Sequence, residues 1–171
     1  MSGSTPTNMN MLRLISFAMS AGMLIFAVVT IFLTLENKSP ATTPGPPNRT
    51  PQADLATMLL GLTGVVGFGG LVVSAVLGRA SLGAARAAWR GTGAVASKEQ
   101  AIWSRYSTLV ISRTAIAESF GLLGVITLFL GGPPLGWWGL AAPVIAIGAI
   151  LMGLPSQAGY DRFLTRATSD F

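Results

Sequence analysis

An all-α integral membrane protein, with four transmembrane helices in two antiparallel hairpins, is the fold class that three features of this 171-residue sequence predict. First, 51% of the residues are hydrophobic and only 10% are charged, against roughly 25% charged in average soluble domains. Second, four apolar runs of roughly 20 residues each are long enough, at about 1.5 Å per residue, to cross a hydrocarbon core of about 30 Å. Third, the basic residues gather in alternate connections between those runs. A chain of this size has too small an interior to hide so much apolar surface from water, and the mean hydropathy of +0.62 makes lipid its expected solvent. Helices satisfy every backbone group internally, and the alternating ten-residue segments of a membrane barrel are absent.

The first run covers about 14–35 (LISFAMSAGMLIFAVVTIFLTL). It is longer than the apolar region of a signal peptide and lacks a clear A-x-A site, so it is expected to be a retained helix. The polar, proline-rich stretch 36–54 follows as an extended external loop. It contains two glycosylation-type triplets, Asn37-Lys38-Ser39 and Asn48-Arg49-Thr50, a short pattern that is common by chance. The second run spans about 55–77, and a basic connection covers 78–108. Within that connection Arg79, Arg86 and Arg90 recur at i, i+7 and i+11, which places them on one helical face. The alanines between them favour helix, so the second helix is expected to continue as an arm to about Arg90, where Gly91 and Gly93 break it. Trp89 and Trp103 suit an interfacial depth. The third run spans about 109–130, a tight GGPPL turn covers 131–135, and the fourth run spans about 135–154. Pro143 is expected to kink this last helix or to free the Gly139 carbonyl.

Charge sets the orientation. The middle connection carries Arg79, Arg86, Arg90, Lys98 and Arg105 against Glu99 alone, while Arg13 precedes the first helix and Arg162 and Arg166 follow the fourth. In the external loop Lys38 and Arg49 are balanced by Glu36 and Asp54. The positive-inside rule therefore makes both termini and the middle connection cytoplasmic. The basic face reads either as topology alone, with snorkelling arginines, or as a surface for anionic lipid or an acidic membrane partner. No nucleic-acid recognition motif accompanies it.

Small residues mark close packing. Gly70, Ser74 and Gly78 make two small-xxx-small steps on the second helix, with Gly61, Gly64 and Gly67 as a further strip; Ala117 and Gly121 make a step on the third, with Gly124 one turn on. Such positions let helix backbones approach in lipid, within the chain or in a homo-oligomer. Helices two and three are expected to be antiparallel neighbours. Gly67-Phe68-Gly69-Gly70 lacks the lysine of a phosphate loop.

One acid stands in an apolar run. Glu118 lies about 13 Å along the third helix from Leu109, where insertion of a charged carboxylate costs at least about 2.5 kcal/mol. Arg113, five residues earlier, is 140° away around the helix and is not an ideal same-face partner. Thr114 at i−4, or Ser119, is a possible hydroxyl donor. Glu118 is thus expected to face another helix, as a structural acid or as a proton- or cation-exchanging one. With no histidine and no cysteine, no catalytic constellation is visible and no metal or cofactor is expected.

Two resemblances meet at these residues. The stretch 115–124 (AIAESFGLLG), after a glycine-rich helix and a polar connection, resembles the carboxylate-bearing hairpin of rotary ATP synthase c subunits. That resemblance implies an ion-binding role for Glu118 in a ring of copies, although the connection here is far longer and helices one and four are extra. More of the chain is similar to an uncharacterised family of small bacterial proteins with four membrane helices: Tyr106-x-Thr108, Ile111-x-Arg113-x-Ala115-x-x-Glu118, a turn with Pro134, and 155–164 (PSQAGYDRFL). It implies the four-helix topology and a basic amphipathic segment after helix four, with no activity to transfer. The expected role is therefore that of a structural or accessory membrane protein, with ion translocation and anionic-lipid or partner binding as alternatives.

Overall fold

The computed structural model describes residues 6–36, 51–131 and 135–169. Every described element is helical: α1 (Pro6–Glu36), α2 (Pro51–Arg90), α3 (Val95–Gly131), a 3₁₀ segment (Leu135–Leu140), α4 (Ala141–Met152) and α5 (Gln157–Thr168). The two glycosylation-type triplets, most of the proline-rich loop and Pro134 lie outside the described residues. Proline opens α1 and α2, the position where its missing N–H costs nothing.

The basic connection is not a loop. Helix α2 runs unbroken to Arg90, as the alanine-rich arm predicts, and α3 begins at Val95, well before the apolar run. Only residues 91–94 separate them. Gly91 ends α2 with its N–H on the Ala87 carbonyl (3.2 Å), and Ala94 opens α3 by accepting from the N–H of Lys98 (3.2 Å) and the Ser97 hydroxyl (2.7 Å). With 40 and 37 residues, the two helices are about 60 and 55 Å long. Each therefore exceeds a hydrocarbon core of about 30 Å by a wide margin.

The fourth run is also divided. Residues 135–140 are 3₁₀ and the α-helix starts at Ala141, so Pro143 sits in its first turn, where no carbonyl partner is lost. The expected mid-helix kink is replaced by this change of helix type. Helix α4 ends at Met152, and α5 follows a 71° bend. At that bend Pro155 is buried and its carbonyl accepts from Arg13 Nε of α1 (2.8 Å). Ser156 then caps α5, its hydroxyl accepting from the Gly159 N–H at 3.1 Å.

Helix α3 is the hub. It packs against α2, α1, α4 and the 3₁₀ segment, whereas α1 lies along α3 and α4 and makes little contact with α2. Helices α2 and α3 are thus the neighbours anticipated and α4 packs on α3 as one expected hairpin requires, but α1 and α2 do not pair as the other does. Three helices are long and apolar enough to cross a membrane, and the bent fourth segment joined to α5 makes up to four. At the basic end, Met9, Ala85, Ile102, Tyr106, Tyr160 and Ala167 form a buried core drawn from α1, α2, α3 and α5. Tyr160 meets Trp103 and Tyr106 edge-on, with centroids 5.1 and 5.4 Å away, a favoured aromatic geometry. Trp103 therefore helps to build this head, and Trp89 lies under the Lys98 ammonium at 5.8 Å; their role in packing was not anticipated from an interfacial placement.

Candidate functional site

A groove of about 1200 Å³ runs between α2 and the α4–α5 segment, with α3 as its floor. It exists because α2 and α4 both pack on α3 but hardly on each other. Its upper part is apolar, with Phe68 and Leu71 from α2, Ile116 and Phe120 from α3, and Ile145 and Ile150 from α4. Its lower part holds Arg79, Arg113, Arg162 and Arg166, and no acidic side chain lines it among the described residues.

Small residues set its width. A Cβ on Gly67 would stand 2.6 Å from the Phe120 ring, one on Gly70 would stand 2.6 Å from Ile116 Cγ2, and one on Gly78 would stand 2.8 Å from Arg113 Nη2. Thus Gly70 and Gly78 face α3, and Ser74 between them lines the groove half-buried. The Arg113 guanidinium lies across the space where Gly78 has no side chain, next to Arg79. By contrast Gly61 and Gly64 have no neighbour near a Cβ position among the described residues, so of that strip Gly67 alone makes a close contact there. Further round α3, Ala117 packs on the cluster of Met23, Ala146 and Ile150, of which Ala146 and Ile150 also line the groove, and Gly121 admits the Met23 side chain.

Arg113 therefore turns towards α2 and away from Glu118. Glu118 is half-buried and takes part in no hydrogen bond or ion pair among the described residues. It is three residues before Gly121 and seven before Val125, which is fully buried; at about 100° per residue it shares their side of α3 within about 60°. Neither expected hydroxyl reaches it. Thr114 donates to the Val110 carbonyl (3.0 Å) and Ser119 to the Ala115 carbonyl (2.8 Å), the usual local bond of these residues in helices. The notion of Thr114 as a donor to Glu118 is corrected accordingly.

Of the arm arginines, Arg79 lines the groove, Arg90 is exposed at the last residue of α2, and Arg86 Nε donates to the Arg166 carbonyl at 3.2 Å. That bond ties α5 to the arm and brings Arg162 and Arg166 to the groove. Those two residues mark orientation in the sequence, but their i, i+4 spacing on a short polar helix was the available signal for a shared site. Two further contacts went unanticipated. Thr63 and Thr127 hydroxyls meet across α2 and α3 at 3.3 Å. Gly124 and Gly139 bring the backbones of α3 and the 3₁₀ segment together, each facing the other's carbonyl oxygen. Comparisons with protein-family models, with curated proteins and with solved structures find no match to this chain.

Proposed function

We propose that this chain is a four-span membrane protein of structural or accessory role, non-enzymatic, with both termini and the basic helical head on the cytoplasmic side of a bacterial plasma membrane. The observation that carries the reading is the continuity of α2 and α3. Each passes without a break from an apolar segment into an arginine-bearing arm, so the head is held rigidly at the membrane surface. The 3₁₀ segment adds about 12 Å and α4 about 18 Å, together matching a hydrocarbon core of about 30 Å. The amphipathic α5 then lies beyond the fourth crossing. Reporters fused after Phe171 and inserted near Thr43 test the topology: the first is expected inside and the second outside. A C-terminus outside the cell refutes the four-span arrangement.

The arginine-lined groove favours a second reading, binding of anionic lipid at the basic face. The c-like alternative draws support from the unpaired Glu118 alone. Against it stand α1 and α4, which flank α3 and are foreign to a two-helix ring hairpin.

A further inference from the structure

We infer that the groove between α2 and α4 is a binding site for an anionic phospholipid of the leaflet at the basic end, with its phosphate among Arg79, Arg113, Arg162 and Arg166 and an acyl chain along the apolar wall. This rests on the membrane reading above.

The charge pattern points to an anion. Four guanidinium-bearing side chains from three helices line one end of one groove, with no carboxylate among the described lining residues. None of the four side chains takes part in a hydrogen bond or ion pair among the described residues. Arginines at the end of an apolar helix commonly just snorkel to the headgroups. Arg113 is exposed too, but its guanidinium is laid across Gly78 of the neighbouring helix, a position any side chain there would contest. Arg162 and Arg166 are brought to the same end by the α5 bend, the Arg86–Arg166 bond and the tyrosine core. Planar guanidinium groups that converge in this way suit phosphate, which accepts paired N–H bonds.

The shape points to a lipid rather than a small anion. A volume of about 1200 Å³ exceeds the usual span of small-molecule pockets, roughly 300–1,000 Å³. The α2 wall from Gly64 to Gly78 is about 21 Å long at 1.5 Å per residue, longer than one leaflet's half of a core of about 30 Å. Arg79 stands where the apolar run of α2 ends, at the level a headgroup occupies. The exposed Phe68 and Leu71 leave the groove open sideways, so a lipid enters from the leaflet without crossing a barrier.

Native mass spectrometry of the full chain in detergent tests this with phosphatidylglycerol and phosphatidylcholine of the same acyl chains. Phosphatidylglycerol is expected to bind about tenfold better, the scale of one charge-assisted hydrogen bond. Arg113→Gln and Arg79→Gln should each lose a similar factor, while Arg105→Gln, which removes an equal charge outside the groove, should change binding less than about twofold. Ala149→Trp, which fills the apolar wall from α4 and leaves every arginine in place, should weaken lipid binding as well. Equal binding of the two lipids overturns the site, as does equal loss from Arg113→Gln and Arg105→Gln. Full displacement by millimolar inorganic phosphate would show a site for free anions and also overturns it. Should Arg113→Gln not fold, the Arg79 and Ala149 variants decide by the same criteria. The topology reporters report separately on membrane orientation, so failure of that reading and failure of the lipid site are distinguishable.

Discussion

Replacing Gly124 by alanine should be the most damaging of the glycine substitutions in α2 and α3, because there the groups a Cβ would meet include backbone. The new methyl group would strike the Gly139 carbonyl oxygen and the Ala142 Cβ, and would stand 3.0 Å from Pro143 Cδ. A flexible side chain could swing aside, but a carbonyl in the 3₁₀ segment and a proline ring cannot without moving α4 as a whole. Overpacking of this kind costs about 1–3 kcal/mol, and rigid neighbours put the expected loss at the upper end. That corresponds to a rise of roughly 5- to 150-fold in the unfolding equilibrium constant. Gly121→Ala meets the Met23 thioether, which can move, and Ala146 Cβ at 3.0 Å, which is less free; a smaller loss is expected. Gly61→Ala and Gly64→Ala enter open space and should stay within about 0.5 kcal/mol of the parent chain. The assay is reversible unfolding in mixed micelles, followed by circular dichroism, with all four variants side by side. If Gly124→Ala is as stable as Gly64→Ala, the close approach of α3 to the 3₁₀ segment does not limit stability and the packing argument fails.

Three further outcomes follow from particular contacts. Arg13→Ala leaves the buried Pro155 carbonyl without its donor, which should cost about 1–3 kcal/mol and make α5 more accessible to limited proteolysis; unchanged proteolysis would mean that α5 is held by its aromatic core alone. Ser74→Leu puts a bulky group into the groove between α2 and α4 and should lower thermal stability or lipid retention; no change in either would mean that this face simply meets lipid. Glu118→Gln should preserve fold and stability if the acid is structural, since the amide removes the charge cost, whereas carbodiimide labelling of Glu118 that bound cations suppress would favour ion exchange.

The helical class was legible because apolar runs of membrane-spanning length and their flanking charges are properties of short stretches. The arm to Arg90 was legible too, from alanine spacing and the two glycines after it. The early start of α3 was not. Residues 95–108 are polar and carry no apolar run, and what stabilises them as helix is burial of Ile102 and Tyr106 against α1, α2 and α5. The fourth run reads as one helix because hydropathy is blind to the switch from 3₁₀ to α at Ala141 and to the end of α4 at Met152.

The candidate site divides in the same way. Gly70, Gly78, Arg79 and Arg113 could each be picked from the sequence by residue type and position. Their meeting could not, because it depends on the register of α2 against α3, set by the short turn at 91–94 and by the Thr63–Thr127 contact far from it. The groove needs still more: a bend after Met152 that returns α5 to the arm, held by Arg13 and Arg86. By itself the sequence determined the helical class and the long apolar segments, since transfer free energy adds up residue by residue along the chain. The tertiary structure alone decided which arginines share a groove and that Glu118 is not paired with Arg113, because those outcomes rest on rigid-body packing of helices whose contacting residues lie far apart in the chain.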